Sequence, residues 1–174
     1  LSDQKKDGYN YNGAGTSFGD WIAYEQTDAR FVSVCYYAYG SVSEWLFRYV
    51  GGIEADEENP GFKHFVLQPA PDDRNWFPQN QQRIDWVNTV YHSCRGDIVS
   101  SWNRKADGRI SSTAVVPANT TATLYLPVAA PDDKIYEGDK LAAKAEGVEY
   151  IRTENNKAVF KLQSGTYYFD VRSP

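Results

Sequence analysis

Glu25 and Asp28 are the residues whose types and spacing come nearest to an acid–base pair in this chain. Two carboxyl groups can act as a catalytic pair when one donates a proton and the other, ionised, activates water. Thr27 and Asp28 also precede a helical pattern, where a side-chain oxygen would cap the first free N–H groups. Capping and solvent exposure therefore explain these two carboxylates more simply than catalysis.

Histidine and cysteine add little further chemistry. His64 and His92 lie in predicted strands, and no Ser or Cys nucleophile pattern accompanies them, so a catalytic triad has no support. Cys35 and Cys94 form no C-x-x-C motif and have no histidine cluster beside them, so we expect no metal site and no cofactor. A bridge between the two cysteines stays open, but two buried thiols are the preferred interpretation.

The composition excludes some classes of partner. The 174 residues include 18 basic and 23 acidic residues with no basic run, which argues against nucleic acid. No segment approaches the eighteen apolar residues of a membrane-spanning helix. Aromatic residues make up 15%, with 13 Tyr and 5 Trp. Such rings can stack on sugars, but β-sheet cores use the same residues, and we prefer that second explanation.

The N-terminal residues do not resemble a targeting segment. Leu1–Lys6 lacks the features of a signal peptide, and the sequence contains no Met. We therefore expect a processed, cloned or otherwise partial piece of something longer.

A helical pattern precedes the rest of the chain. Ser41 and Glu44 fit the S-x-x-E capping box, and Gly51-Gly52 would supply a left-handed stop. One apolar stripe runs between them, formed by Val42, Trp45, Leu46, Tyr49 and Val50. An earlier helical pattern follows Asp28, and we predict a break between the two near Gly40. A single helix from Asp28 to Val50 is the alternative.

The apolar period changes from 3.6 to 2 after an acidic segment that ends at Pro60-Gly61. Asp107-Gly108 is the best hairpin signal, and Pro117–Asn119 is a second turn. Roughly nine short strands separated by turn residues predict a mainly β fold, an antiparallel β-sandwich of Greek-key type. In the predicted strands, Ile84, Trp86 and Val90 share one face, Ala122, Leu124 and Leu126 face inward, and Ala158, Phe160 and Leu162 alternate within Lys157–Leu162. Leu141–Ala145 is at most a weak helical fragment. We divide the chain into a loop and helical part (residues 1–53), an acidic linker (54–61) and a β-sandwich domain (62–174).

Several ordered motifs resemble one enzyme family. Two consecutive motifs are similar to the junction of the catalytic (α/α) helical barrel and the C-terminal β-domain of bacterial α-L-rhamnosidases. They are G-S-V-x-E-W-L-F-R-Y-V-x-G-I and N-P-G-F-K-H-F-V-L-x-P. The similarity continues through Gly96–Trp102 and Val116–Pro127 and closes on Ser164–Phe169. The resemblance implies a glycoside hydrolase ancestry, with one or two barrel helices preceding the β-domain.

The resemblance leaves this chain without the family's catalytic pair. In the family that this chain resembles, the catalytic acid is a Glu that precedes a G-W pair, and the catalytic base is a Glu in the motif T-I-W-E-R-W. Neither motif occurs in this chain. Two segments that lie far apart in the family adjoin at residues 37–40, and Tyr36 stands where the family usually has histidine. A deletion of much of the barrel explains both facts. We therefore expect no catalytic residues in this chain.

Asp20 and Trp21 match the family's substrate-side G-D-W text, so the resemblance makes them the candidate substrate-binding residues. Trp21 could present an apolar surface to a sugar. Packing of Trp21 on the β-domain or on the lone helices is the competing and preferred explanation.

We interpret the chain as a C-terminal fragment or truncated homologue of an α-L-rhamnosidase, inactive alone. The alternatives are a carbohydrate-binding β-sandwich module and a structural domain that packs on a catalytic barrel. The implied partner is a rhamnose-containing glycan or glycoside, and the apolar stripe suggests a homodimer through the helical segment. A bacterial periplasmic or secreted location is slightly favoured over the cytoplasm.

Overall fold

The computed structural model describes residues 37–72 and 82–174, with side chains from residue 41 onward. The chain divides into two compact units, Leu1–Glu44 and Trp45–Pro174. In the first unit, the described residues 37–44 are helical. The second unit contains the end of this helix and the β-sheets.

Helix α1 covers Tyr37–Trp45 and continues as one turn of π-helix over Leu46–Val50. The Gly51 N–H donates a hydrogen bond to the Leu46 carbonyl at 2.8 Å, which closes that turn. Gly40 and Ser41 both lie inside α1, so the predicted break near Gly40 and the capping box beginning at Ser41 are wrong. The apolar pattern stays in phase across Gly40, and this outweighs a glycine cost of about 1 kcal/mol.

Gly51 and Gly52 allow the helix to meet the sheets at close range. Gly52 has φ +71°, the left-handed geometry that was predicted for this stop, whereas Gly51 is still right-handed with φ −74°. A Cβ at Gly51 would lie 2.5 Å from Thr89 Oγ1, and one at Gly52 would lie 2.3 Å from the Gln68 carbonyl oxygen. A side chain at either position would therefore push the two segments apart.

Eleven strands occur in the described residues. They are β1 Ile53–Ala55, β2 His64–Leu67, β3 Trp86–Ser93, β4 Gly96–Arg104, β5 Ile110–Val116, β6 Thr121–Pro127, β7 Lys134–Glu137, β8 Lys140–Leu141, β9 Val148–Glu154, β10 Lys157–Leu162 and β11 Gly165–Arg172. A short 3₁₀ turn, Ala142–Lys144, replaces the weak helical fragment predicted there. β1 and β8 were not predicted, because three- and two-residue strands carry almost no alternation.

The strands form two sheets, as the predicted β-sandwich requires. The five-stranded sheet has the order β1-β2-β6-β10-β9, and the six-stranded sheet has the order β3-β4-β5-β11-β7-β8. Strands distant in sequence, such as β5 and β11, are neighbours, as Greek-key connections produce. β2 and β6 pair in parallel, whereas the other pairings in the described residues are antiparallel.

The core lies between the two sheets and is made by alternate residues of their strands. Ala122, Leu124 and Leu126 of β6 are buried, as predicted, and so are alternate residues of β10 and β11. Phe160 of β10 stacks on Phe169 of β11 with ring centroids 5.8 Å apart, which joins the two sheets directly. Burying large apolar side chains in this layer supplies most of the stabilisation.

The backbone geometry confirms the two turns that were predicted at Asp107-Gly108 and Pro117–Asn119. Gly108 has φ +84° in the turn between β4 and β5, and Asn119 has φ +59° in the turn before β6.

Cys94 is exposed in the β3–β4 turn, so the prediction of a buried thiol is wrong there. A two-residue hairpin turn cannot bury its side chains. Cys35 lies outside the described residues.

Replacing Phe160 tests this account of the core. Phe160→Ala should lower the free energy of unfolding by roughly 3–5 kcal/mol, because it leaves a cavity against Phe169. Tyr168→Ala is a control of similar size, since that ring is 59% exposed, and should change stability by at most about 0.5 kcal/mol. Urea unfolding followed by tryptophan fluorescence measures both values, and equal losses would contradict the proposed core.

Candidate functional site

The predicted substrate-binding residues lie outside the part of the chain that the structure describes. This applies to Asp20 and Trp21, and also to Glu25 and Asp28. Their role as binding residues stays a prediction. Among the described residues, the candidate site lies on the sandwich itself.

Neutral polar side chains line the outer face of the six-stranded sheet. The register pairs Asn88 with Ser101 and then Ser101 with Thr113. The next row pairs Asn103 with Ser111. Directly paired residues of neighbouring strands share a face, and alternate residues of these strands are buried in the core. These five amide and hydroxyl groups therefore form one polar strip across β3, β4 and β5.

An exposed aromatic ring lies at each side of the polar strip. Trp86 pairs with Asn103 at the edge of the sheet and is 68% exposed, and Tyr168 pairs with Thr113 on the other side and is 59% exposed. A depression of about 330 Å³ lies next to Tyr168, and its lining includes Ser101, Asn103, Ser111, Thr113 and Asp170. Flat rings beside neutral hydrogen-bonding groups suit a ligand that has both apolar and hydroxyl surfaces.

Asp170 is the carboxylate in this depression, and two cations hold it. Lys105 Nζ forms an ion pair with it, and Arg172 Nε lies 2.7 Å from Asp170 Oδ2. Burial raises the pKa of Asp170, but the hydrogen bonds from Lys105 and Arg172 together lower it by more than burial raises it. The pKa of Asp170 therefore lies below its usual value. Arg172 in turn lies 4.3 Å from the centre of the Tyr136 ring. The charge of Asp170 is thus balanced within the protein.

A second depression lies on the outer face of the five-stranded sheet. It measures about 490 Å³ and is lined by His64, Thr121, Thr123, Tyr125, Arg152 and Lys161, among others. His64 Nδ1 lies 2.7 Å from Thr121 Oγ1, and His64 Nε2 lies 3.0 Å from Thr123 Oγ1. Because both ring nitrogens bond to hydroxyls of the neighbouring strand, His64 ties β2 to β6 rather than acting as a catalytic base.

The carboxyl groups with a shifted pKa are poor candidates for a general acid. Asn59, the Arg109 N–H and Arg152 are the main donors that lower the pKa of Asp56, Asp107 and Glu154, respectively. A glycosidase acid needs the opposite shift, since it must stay protonated near neutral pH. These groups are therefore ionised structural partners.

Asp133 is the most enclosed of these carboxylates, with a side chain that is 0% exposed. Its Oδ2 accepts hydrogen bonds from the N–H groups of Ala129 and Ala130, both at 2.9 Å, and Arg109 Nη2 lies 2.7 Å from Oδ1. Burial raises the pKa of Asp133, but these hydrogen bonds lower it more. The pair joins the β4–β5 hairpin to the loop before β7.

Residues 37–72 and 82–174 give no support for a metal site or for a membrane-spanning helix. No group of three or more His, Cys, Asp or Glu side chains there could hold a metal ion. Within the same residues, no helix is long and apolar enough to cross a membrane.

The sequence predicted which residues of β3 share a face, but not whether that face points to the core or to solvent. The alternation placed Ile84, Trp86 and Val90 together, and all three are exposed. Sequence alone could not show that this shared face is the outer one, because β3 lies at a sheet edge where both faces read as partly apolar. Tyr168 was missed as a site residue, although its exposed position follows from buried Tyr167 and Phe169 on either side.

The comparison with known proteins agrees with the fold and identifies the family. The family described as "Bacterial alpha-L-rhamnosidase C-terminal domain" matches residues 52–140. The chain belongs to this family. The match begins at Gly52, the left-handed glycine before β1, and extends to the start of β8.

Curated relatives of this rhamnosidase C-terminal domain are much longer than the chain. An alpha-L-rhamnosidase of Streptomyces avermitilis is 28% identical over 136 residues, which are 78% of this chain and 11% of that protein. An alpha-L-rhamnosidase of Formosa agariphila is 27% identical over 169 residues, covering 94% of this chain and 17% of the relative. The chain thus spans between a tenth and a fifth of these relatives' lengths.

Solved rhamnosidases share the fold of the chain. The Streptomyces avermitilis alpha-L-rhamnosidase complexed with L-rhamnose has a TM-score of 0.61 and 26% identity, and covers 82% of this chain and 12% of its own. The alpha-L-rhamnosidase from Dictyoglumus thermophilum has a TM-score of 0.60 at 20% identity, over 75% of this chain and 13% of its own. The second likeness concerns the fold alone.

The enclosed carboxylate Asp133 gives a pH-dependent prediction. Asp133→Ala should destabilise the domain by roughly 2 kcal/mol at pH 7, because two backbone N–H groups lose their acceptor and Arg109 loses its partner. The folded pKa is lowered, so this contribution is complete above the unfolded pKa of about 3.9 and is lost as pH falls through the folded value.

Urea unfolding of wild type and variant at several pH values measures the difference. The gap between them should shrink below about pH 4. Asp132→Ala, at the exposed neighbouring carboxylate, is the matched control and should stay near wild type. A gap that is constant down to acid pH would show that the charge of Asp133 is not involved.

Proposed function

We propose that this chain is the C-terminal β-sandwich part of an α-L-rhamnosidase, an enzyme that removes terminal α-L-rhamnose from glycans or glycosides by inversion. The family match over residues 52–140 is the observation that carries the proposal. The share of the relatives that the chain covers, 11% and 17% in two of them, supports a non-catalytic role for these residues. Catalysis then belongs to a helical barrel rather than to the sandwich.

The chemistry of the described residues supports the same proposal. Inversion needs one protonated and one ionised carboxyl group on opposite sides of a sugar. The described carboxyl groups with shifted pKa values are shifted downward and held by donors, as in Asp133 and Asp170. These residues stabilise the sandwich and provide no proton donor for a leaving group.

Hydrolysis of p-nitrophenyl α-L-rhamnoside tests the inactive part of the proposal. The purified chain should release no p-nitrophenol above background, because acid and base catalysis each contribute about 10²- to 10⁴-fold and neither family motif is present. The Streptomyces avermitilis enzyme is the positive control. Turnover that disappears in Glu25→Gln or Asp28→Asn would make those carboxylates catalytic and overturn the proposal.

A domain exchange tests the positive part of the same proposal. Residues 45–174 should replace the matching segment of the Streptomyces avermitilis enzyme with retention of rhamnosidase activity. The same chimera with Phe160→Ala should lose activity at a lower temperature, since its sandwich is destabilised. A soluble chimera that has lost activity at all temperatures would contradict the exchangeability of the domain.

We also propose that the end of the helix forms an interface between two copies of the chain. Trp45, Leu46, Phe47 and Tyr49 are 53%, 48%, 38% and 55% exposed. The Trp45 and Tyr49 rings lie side by side, with centroids 6.3 Å apart. Clustered large apolar side chains of this kind mark association surfaces more often than isolated ones do.

A charge placed in this surface should abolish the dimer. Sedimentation of wild type at tens of micromolar should show a dimer, and Leu46→Asp should sediment as a monomer, because burying an unpaired carboxylate is costly. Leu141→Asp is the control, since Leu141 is 39% exposed on β8. A monomeric wild type, or equal effects of both variants, would contradict this interface.

A further inference from the structure

The outer face of the six-stranded sheet has the features of a ligand surface that the core does not require. Trp86 and Tyr168 are among the most exposed large hydrophobic side chains of the described residues. Exposing two rings on one face brings no packing benefit to the sandwich. The Asn88, Ser101, Asn103, Ser111 and Thr113 side chains lie between them in register.

We propose that this face binds a neutral oligosaccharide, with the Trp86 and Tyr168 rings as stacking platforms and the polar strip as hydrogen-bonding partner. The rings match the apolar faces of pyranose units, and amides and hydroxyls can both donate to and accept from sugar hydroxyls. The proposal rests on the proposed function only for the identity of the sugar, a rhamnose-bearing glycan.

Charge selects a neutral occupant over an acidic polymer. The five groups of the polar strip are uncharged, and the nearby cations Lys105 and Arg172 are both ion-paired with Asp170. A nucleic acid or an acidic polysaccharide needs unpaired cations, and the strip offers none within its five residues. The apolar row of Val90, Val99 and Val115 lies beside the polar strip and not between the two rings, so the area between the rings lacks the apolar centre of a protein interface.

The spacing of the rings indicates an oligosaccharide rather than a monosaccharide. Trp86 and Tyr168 are three strand spacings apart across β3, β4, β5 and β11, and two residues apart along the strands. With spacings of about 4.8 Å between strands and 3.4 Å per residue, the separation is roughly 16 Å. A single sugar can contact one ring, whereas a chain of several sugars can contact both.

Calorimetric titration with free oligosaccharides tests the proposal. The probes are neutral tetra- to hexasaccharides with and without a terminal α-L-rhamnose, together with L-rhamnose itself. We expect the oligosaccharides to bind and the monosaccharide to bind far more weakly. Trp86→Ala and Tyr168→Ala should each weaken oligosaccharide binding by about tenfold, because each removes one stacking platform.

A matched control separates this face from other exposed rings. Tyr150→Ala removes a 46% exposed tyrosine of β9, outside the proposed surface, and should bind as wild type. No binding, or binding that survives the loss of both Trp86 and Tyr168, would overturn the surface. Equal binding of oligosaccharides with and without rhamnose supports the surface and leaves the proposed function to the domain exchange.

Discussion

The apolar layer between the two sheets is the constraint on which the rest of the structure depends. Phe160 and Phe169 meet across it, and the strands that carry them must turn alternate residues inward. This fixes the register of β5 with β11 and of β6 with β10. The outer faces follow from the same register, because each inward residue leaves its neighbours facing outward. Core packing therefore positions the polar strip and its two rings, although these outward side chains are not part of the core.

The sequence predicted the parts of the fold in which alternation is long and regular. β10 was predicted with its observed bounds, Lys157–Leu162, because Ala158, Phe160 and Leu162 alternate with polar or smaller neighbours. β1 was missed because a three-residue strand, Ile53–Ala55, has one buried residue and lies in an acidic segment. The parallel pairing of β2 with β6 could not be predicted, since it depends on contacts between segments more than fifty residues apart. The inner and outer faces of edge strand β3 were ambiguous because both faces of that strand are partly apolar in sequence.

The ionisable side chains of the described residues form short links between neighbouring segments rather than a converging site. His64 connects β2 to β6, and Arg109 with Asp133 connects a hairpin to a loop. The pairing with Arg109 helps to lower the pKa of the Asp133 carboxyl group and so favours its charged form. A glycosidase site needs two carboxyl groups in unlike environments, one of them protonated. The observed pairing makes the environments alike, and this agrees with a domain whose role is binding or support.

The junction at Gly51 and Gly52 explains how the last helical turn, Leu46–Val50, is held on the sandwich while its aromatic surface remains open. Trp102, a buried residue of β4, donates its indole N–H to the Val50 carbonyl at 3.2 Å, so the last helical turn is tied to the inner side of the six-stranded sheet. Thr89 and Gln68 leave no room for a side chain at either glycine, which fixes the chain's path. Phe47 packs edge-on against Tyr91 of β3, whereas Trp45 and Tyr49 are each more than half exposed. The sandwich therefore orients the helix end without covering its rings, and a second apolar surface is required to bury them. The proposed association surface lies on the last helical turn and the proposed sugar surface on the opposite face of β3, so a substitution in one surface should leave the other intact.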